Sequence, residues 1–166
     1  GPETIFRCFA ASSEVQYDGA FHNRANNLST VVEYLQIGVE YAADQISVAI
    51  NNFRTRKTKL VRIHESGDFF SLAYLQAWLK VAEANPTLKF YCYSKSLEIF
   101  QQFGLINLPS NFYLTASYGG KWDTLIDQGL FPRYAKVFMT EDDANRAGLE
   151  VDHDDSHCFG AGPFAL

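Results

Sequence analysis

The chain has 166 residues, and Asp and Glu outnumber Lys and Arg by 19 to 14, which gives a formal net charge of −5. This length suits one domain, and a composition of 47% apolar and 20% charged residues excludes wholesale disorder. The net negative charge argues against broad, non-specific binding of nucleic acid, although one local basic groove is still compatible with it. Aromatic residues make up 15% of the chain and can fill a sizeable core.

The sequence also bears on compartment. It contains no apolar run long enough to span a membrane and no visible signal peptide. Its three cysteines, Cys8, Cys92 and Cys158, are odd in number and irregularly spaced, unlike a secreted disulfide framework. We therefore expect a reducing, cytoplasmic setting. Because the chain starts at Gly1 and stops at Leu166, we expect a processed or truncated form of a longer protein.

Residues 1–58 carry mainly helix signals. Apolar residues at helical spacing predict one helix with a Leu28–Leu35 face and Asn27 as its cap, and a second helix over Val39–Phe53. Four cations follow the second helix, where they suit the negative end of the helix dipole; a phosphate-binding role is the alternative. These cations are Arg54, Arg56, Lys57 and Lys59.

Residues 59–140 alternate between short strand-like runs and amphipathic helices. Strands are predicted at 60–63, 89–93, 111–116 and 135–139, so their starts lie 22–29 residues apart. Helices are predicted after Ser71, before Gly104 and before Gly129. This spacing is typical of successive βα units that build a parallel sheet with right-handed crossovers.

The expected architecture is therefore an α/β domain over residues 1–166, with two helices followed by a parallel sheet. A partial (β/α) barrel is the favoured form, and an open parallel sheet is the alternative. Residues 141–166 are expected to be an acidic loop, or a flap, followed by a C-terminal segment.

The densest polar run, His64-Glu65-Ser66-Gly67-Asp68, directly follows the first predicted strand. In parallel α/β folds, function gathers beyond the carboxyl ends of the strands. We predict that His64, Glu65 and Asp68 are catalytic, with His64 and Asp68 transferring protons or binding metal, and that Ser66 contacts substrate. The alternative is structural: Asp68 caps the next helix and His64 is a half-buried, satisfied residue.

Polar residues also follow the next two strands. Lys95 is predicted to be catalytic by matching substrate charge, and Ser94 and Ser117 are predicted to bind substrate. A structural ion pair from Lys95 to Asp68 or Glu65 is the alternative for the lysine.

A separate set of residues has the chemistry of metal ligands. Cys8, His157 and Cys158 are predicted to form a metal site, next to the acidic stretch 152–155. Their spacing matches no zinc finger or EF-hand loop, so a solvated acidic loop is the alternative. The cofactor is left open between an iron–sulfur cluster and zinc.

Several of these runs together resemble a known family. The stretch from Arg62 to Ser71, with Tyr74, Trp78 and Phe90–Ser96, resembles the core of the phage "gene product 88" family. Further similarity to that family lies in Cys8-Phe9-Ala10, where Phe9 replaces a Tyr, and in residues 154–157 and 164–166. The resemblance covers most of the chain and implies a phage or prophage protein.

The layout of that family is similar to radical S-adenosylmethionine enzymes. It implies a partial βα barrel and, by analogy, three thiolates that hold a four-iron cluster. In this sequence only Cys8 could belong to such a set, because the upstream cysteines of the family are missing.

Two functions stay open on these grounds. The first is a phage-type enzyme that acts on a nucleotide or nucleic-acid-derived substrate, a substrate class that comes from the phage resemblance. The second is a non-enzymatic phage protein that binds and modulates a host protein. Either would work in the cytoplasm of an infected cell, with no membrane partner. Candidate anchors for a host protein are the rings of Tyr17, Phe21, Tyr118 and Trp122.

Overall fold

A computed structural model describes residues 16–166 of the chain. Two helices come first, α1 (Asp18–Ile37) and α2 (Val39–Phe53), and Gly38 joins them with a φ of +155°. A backbone turn of this kind requires glycine, which explains why the helical pattern breaks at this residue. Only α2 has a well-developed apolar face, and its Ala42, Ala43 and Ile46 are buried in the core.

The prediction for the first helix was wrong at its start. Asn27 lies inside α1 instead of capping it, because the helix begins nine residues earlier at Asp18. The predicted apolar face is also split. Val31 and Leu35 pack against the core, whereas Leu28 and Val32 are 53% and 36% exposed. Helix α1 packs mainly on α2, so only a narrow stripe of its surface finds apolar partners.

Five parallel strands follow, and their order in the sheet is the same as their order in the chain. They are β1 (Leu60–Ile63), β2 (Lys89–Ser94), β3 (Phe112–Ser117), β4 (Tyr134–Lys136) and β5 (Phe164–Ala165). Leu60 pairs with Lys89 and Phe90 pairs with Phe112, which aligns the starts of the first three strands. The predicted α/β class with a parallel sheet after two helices is confirmed. An open sheet and a partial barrel share this pairing, so the barrel stays a prediction.

Three helices connect the first four strands. They are α3 (Leu72–Ala84), α4 (Leu97–Phe103) and α5 (Asp123–Asp127), with a short 3₁₀ turn at Leu105–Asn107. Right-handed crossovers between neighbouring strands in sequential order place such helices on one face of the sheet. Phe90, Cys92 and Phe112 point to that face and are buried against Phe100 and α3.

The region 141–166 is more ordered than predicted. Instead of a loop or flap it contains α6 (Glu141–Arg146), a 3₁₀ turn (Ser156–Phe159) and the fifth strand. Thr140 caps α6 by accepting a hydrogen bond from the Asp143 amide at 3.2 Å, and carboxylates in the first turn suit the helix dipole. Helix α6 has six residues and β5 has two, which is too short for a periodic pattern to reveal.

This C-terminal region covers the face of the sheet that the helices leave open. Cys158 and Phe164 are fully buried there with Ala135, and Tyr91 and Tyr93 pack against them. Within residues 16–166, no helix has the length and apolar character needed to cross a bilayer.

Candidate functional site

The carboxyl ends of the first three strands are tied together by side chains. Asp68, in the loop after β1, accepts hydrogen bonds from the Ser94 hydroxyl at 2.6 Å and from the Lys95 amide at 2.7 Å. The amides of Phe69 and Ser96 also donate to the same carboxylate, at 2.7 and 3.1 Å. Four donors therefore fix Asp68 between the ends of β1 and β2. Asp68 does not cap the following helix α3. The cap is Ser71, whose hydroxyl accepts a hydrogen bond from the Tyr74 amide.

Lys95 extends this linkage to the end of β3. Its ammonium group donates to the carbonyl oxygens of Ser117 and Tyr118. The lysine stem also lies directly over Gly120, where an added Cβ would come within 3.0 Å of the Cβ of Lys95. Gly120 is therefore required for this close approach. Asp68 and Lys95 thus lie at one edge of the sheet, while their catalytic roles stay predictions.

An open groove of about 770 Å³ lies beside this edge, between α1 and the loop that follows β1. Phe21 and Leu28 of α1 form one wall, and Phe70 and Tyr74 contribute to the other. Glu65, Ser66 and Asp68 also line the groove. A concave site with apolar rings and a few converging polar groups is the usual form of a small-molecule site.

His64 is the most constrained residue of the groove. Its φ is +64°, a left-handed conformation that non-glycine residues rarely adopt. The Nε2 atom hydrogen-bonds to the Tyr74 hydroxyl at 2.9 Å, and Phe69 packs edge-on against the imidazole. Nδ1 is buried and finds no hydrogen-bond partner among residues 16–166. Strain and an unsatisfied polar atom in one residue are typical of a functional position.

Burial also sets the charge of His64. It lowers the pKa of the imidazole below its ordinary value, and the nearby negative charge of Asp68 opposes this shift only in part. The ring is therefore neutral at pH 7. A neutral imidazole can accept a proton or donate one, according to which nitrogen carries the hydrogen.

Glu65 and Arg24 place opposite charges at the groove. The Arg24 guanidinium lies 2.9 Å from the Glu65 carboxylate, and Glu65 is 71% exposed. In the structure, Glu65 thus pairs with Arg24 across the groove and not with Lys95. An exposed pair of this kind contributes little to stability, so a ligand can rearrange it at low cost.

Three of the residues predicted to contact substrate lie outside the groove. Ser94 is 1% exposed and its hydroxyl donates to Asp68, so it supports the loop and cannot reach a ligand in this conformation. Ser117 supplies its carbonyl to Lys95, and Lys95 itself packs over Gly120. Of the predicted site, the structure brings His64, Glu65, Ser66 and Asp68 to the groove.

The predicted metal ligands are separated from this edge. His157 lies next to Asp152, with Nδ1 3.1 Å from its carboxylate, and the Cys158 side chain is buried against the sheet. Hydrogen bonds to Asp152 and Glu150 raise the pKa of His157 despite the opposing effect of burial. Cys8 lies outside the described residues.

A shared thiolate cluster does not fit the described part of the chain. Cys92 belongs to the helix-facing core, whereas Cys158 packs on the opposite face of the sheet. Within residues 16–166, no three His, Cys, Asp or Glu side chains are grouped so that they could hold a metal ion. The described residues therefore supply no cluster site.

Sequence reasoning missed Arg24 and Phe70 as groove residues. Neither residue belongs to a recognisable motif. Arg24 also lies 41 positions before its partner Glu65 in the sequence, so no local pattern links the two. Tyr74 had a signal, because it follows the Ser71 cap by one turn and so faces back toward the loop.

Comparison with known proteins places the chain in a family. The family model described as gene product 88 matches residues 4–165. The Gene 88 protein of Mycobacterium phage L5 is 45% identical over 42 residues, which are 25% of this chain and 18% of the phage protein. The match thus spans less than a fifth of that relative. No solved structure matches the chain. Since the family model covers nearly all of the sequence, the chain belongs to the gene product 88 family of phage proteins.

Proposed function

We propose that this protein is an enzyme that acts on a nucleotide or a nucleic-acid-derived small molecule in the groove between α1 and the β1–α3 loop. His64 is the residue that transfers a proton to or from the substrate. The proposal depends above all on one observation, the buried His64 Nδ1 that lacks a partner within residues 16–166. Residues 64–71 and α1 supply the rest of the site.

The chemistry of the groove supports a ring-bearing, anionic substrate. Phe21 is 56% exposed and Phe70 is 46% exposed, so both can stack on a planar base. Arg24, which pairs with Glu65, has the guanidinium geometry that suits a phosphate. A nucleoside monophosphate combines a planar ring with a phosphate, and the groove is large enough for a molecule of that size.

The role of His64 follows from its neutral state. Tyr74 holds the imidazole through Nε2, which leaves Nδ1 as the nitrogen available to exchange a proton with a ligand. Asp68 acts as a positioning residue, because its four hydrogen bonds fix the loop that carries His64. Lys95 joins the same support by linking the end of β2 to β3.

The first experiment is NMR of the protein with adenosine, guanosine, cytidine and uridine 5′-monophosphates. We expect at least one of them to shift the imidazole resonances of His64 and to bind at least ten-fold more weakly to Phe70→Ser. The matched control is Phe53→Ser, since Phe53 is 88% exposed at the far end of α2. The bound nucleotide is then followed over time for chemical change, with His64→Asn as the inactive variant.

Three results would contradict the proposal. If no nucleotide moves the His64 resonances, the groove is not a nucleotide site. If a nucleotide binds but stays unchanged over days with the wild type, the protein is a nucleotide-binding protein and not an enzyme on that substrate. Equal turnover by His64→Asn would remove the histidine from the reaction.

A binding function for the same region is the second candidate. Tyr17 and Phe21 of the α1 region are 59% and 56% exposed, so they can serve as anchors for a host protein. Tyr118 and Trp122 are half-buried and pack on the core instead, which makes them poor anchors. Phe21→Ser would abolish host-protein binding under this candidate, whereas His64→Asn would leave it unchanged.

We also propose that the protein acts in the cytoplasm of an infected cell. Similarity to a protein of Mycobacterium phage L5 supports an origin in infection. Fluorescence of a tagged copy in infected cells tests this location, and accumulation at the envelope or outside the cell would contradict it.

A further inference from the structure

The edge of the sheet opposite the groove carries an unusual set of charges. Three connecting segments, residues 54–59, 84–89 and 104–111, lead into the aligned starts of β1, β2 and β3. A fourth, residues 128–133, leads into β4, which begins beside Ala116, and its Arg133 side chain reaches back to the Tyr113 ring. Together they contain six Lys and Arg residues and no Asp or Glu. These six are Arg54, Arg56, Lys57, Lys59, Lys89 and Arg133, and we call them the basic edge.

The basic edge is positively charged, although the protein as a whole carries a net negative charge. With six of the 14 cations placed there, the remaining sequence has eight cations against 19 carboxylates. No ion pair joins any of the six to a carboxylate within residues 16–166. All but Arg133 are exposed, and Arg133 is half-buried. Unpaired like charges repel one another, so a cluster of this kind favours binding of a polyanion.

The helix dipole does not account for this clustering. Helix α2 ends at Phe53 and has no basic residue in its last turn, whereas the dipole effect falls off within that turn. Lys89 and Arg133 belong to other elements and reach the same edge only through the fold. The parallel register places Lys89 beside Leu60, and the Lys89 amide donates to the Lys59 carbonyl at 2.9 Å.

Aromatic rings lie among these cations. The Lys89 ammonium is 5.7 Å from the ring centre of Tyr113 and 5.3 Å from that of Phe159. The Arg133 guanidinium is 5.7 Å from the same Tyr113 ring, and its Nε donates to the Gly160 carbonyl at 2.7 Å. The two rings pack edge to face, with centres 4.9 Å apart. The rings hold both cations in place and offer half-buried aromatic surface beside them.

We propose that the basic edge binds a single-stranded nucleic acid. Four cations precede β1, and Lys89 begins the neighbouring strand β2 about 4.8 Å away, so several phosphates of one backbone can contact them together. Aromatic surface interleaved with Lys and Arg favours single strands, because unpaired bases can stack on Tyr113 and Phe159. An anionic membrane would use the charges but would not need the rings. The site is independent of the groove and of the function proposed for it.

The test measures fluorescence anisotropy of a labelled oligothymidylate of about 15 nucleotides, a length that fits single-strand sites. We expect a Kd on the order of 10 μM or tighter at about 50 mM salt, with log K falling against log salt at a slope of about −4 for six cations. The triple variant Arg56→Gln/Lys57→Gln/Lys89→Gln should bind at least ten-fold more weakly, with a slope of about −2.

The control removes the same charge elsewhere on the surface, in Lys121→Gln/Lys136→Gln/Arg146→Gln. It should bind the oligonucleotide within two-fold of the wild type, a bound set by the screening of distant charges at this salt. If the two triple variants lose affinity equally, or if the wild type does not bind at all, the basic edge is not the site.

A second comparison tests the class of partner. Phe159→Leu keeps an apolar side chain of similar size, and we expect it to weaken oligothymidylate binding about five-fold while leaving inorganic polyphosphate binding unchanged. Equal weakening of both would show no stacking on the ring. If phosphatidylglycerol vesicles bind the wild type more tightly than the oligonucleotide and depend on the same cations, the edge recognises a membrane and the proposal is wrong.

Discussion

Asp68 shows how one carboxylate can organise the edge of a parallel sheet. Two amides of the β2–α4 turn, the Ser94 hydroxyl and the amide of Phe69 all donate to it. Three of these donors belong to loops at strand ends, and Ser94 is the buried last residue of β2. With four donors on its two oxygens, the carboxylate has little hydrogen-bonding capacity left to offer a substrate.

Asp68→Asn should therefore destabilise the fold. The amide group that replaces one oxygen cannot accept from the donors on that side, so at least one buried donor loses its partner. We expect a loss of about 2–4 kcal/mol in the free energy of unfolding, measured by urea denaturation. Asp142→Asn is the control, since Asp142 is exposed on α6. An Asp68→Asn protein as stable as that control would show that Asp68 has no structural role and would restore it as a candidate base.

The pKa values of His64 and His157 should be shifted in opposite directions from the ordinary value for histidine. Burial lowers the pKa of His64, whereas hydrogen bonds to Asp152 and Glu150 raise the pKa of His157. The sequence has four histidines, so their imidazole resonances can be assigned by single substitutions and followed by NMR from pH 4 to 9. We expect the midpoint of His64 to lie below the ordinary value of about 6.5 and that of His157 to lie above it. A His64 midpoint at or above 6.5 would contradict its buried, neutral state.

The lowered pKa of His64 also predicts how stability depends on pH. Between the folded pKa and the unfolded value of about 6.5, the unfolded chain binds more protons, so stability falls as pH decreases through this window. His64→Asn, which tolerates the left-handed backbone, should show a smaller loss of stability between pH 7 and pH 5 than the wild type. His22→Asn serves as the control, since His22 is exposed on α1. An unchanged slope in the His64 variant would show that another group causes it.

At the scale of elements, helix α3 is the one whose start the sequence specifies most directly. Ser71 follows an aromatic pair and precedes a helical apolar pattern, and its hydroxyl accepts from the Tyr74 amide at 3.2 Å. Asn85 ends the helix and Pro86 prevents its continuation. Helix α3 packs on α2, and the ring of its Trp78 lies 6.5 Å from that of Phe90 in β2.

Ser71→Ala should lower stability by about 1 kcal/mol through loss of this cap. The effect is measured as a shift of the urea midpoint at constant slope, which indicates a change in stability alone. Ser110→Ala is the matched control, because Ser110 is exposed in the turn before β3. A Ser71→Ala protein that matches the control would show that the cap bond is replaced by water.

The elements also show what the sequence could predict. Strands β1 to β4 were located within two residues at their starts, because each is an apolar run bounded by turn residues. The predicted end of β4 is too late: the strand ends at Lys136, although the Phe138 amide still donates to the Leu166 carbonyl. Strand β5 could not be predicted, because its two residues are stabilised by the β4 edge and by burial of Phe164, which no local pattern encodes.

The groove was less predictable than the strands. The carboxyl-edge rule located His64, Glu65, Ser66 and Asp68, because it needs only the order of strands and loops. It did not identify α1 as the opposite wall, since the position of α1 depends on its packing against α2. The carboxyl-edge rule also cannot distinguish Ser94 from residues that face the groove. Ser94 faces inward and supports Asp68.

At the scale of the whole molecule, the sheet separates two layers that are built differently. Helices cover one face through a large apolar core, whereas the C-terminal region covers the other through a small apolar cluster and a polar anchor. Asp155 is that anchor: it accepts from the hydroxyls of Tyr91 and Tyr93 at 2.9 and 2.8 Å and pairs with Arg62 at 3.0 Å. Burial, with help from the bond to Asp155, raises the pKa of Tyr91 to about 12.

This construction predicts that the C-terminal layer opens separately when its anchor is removed. Asp155→Asn retains a residue suited to the left-handed φ of +63°, but it loses the charge that holds Arg62 and the tyrosine hydroxyls. We expect the free energy of local opening to fall by about 2–3 kcal/mol, which increases hydrogen exchange roughly 30- to 150-fold at amides of this layer. The amides of Asp152 and Ala165 report on this opening, since they donate to the Ala165 and Glu150 carbonyls, respectively.

Amides of α3 and β2 should exchange as in the wild type, and Asp44→Asn on α2 should change neither set. If the whole protein instead exchanged faster by one common factor, the two layers would unfold as a single cooperative unit, and the polar anchor would be part of the same core as the helices.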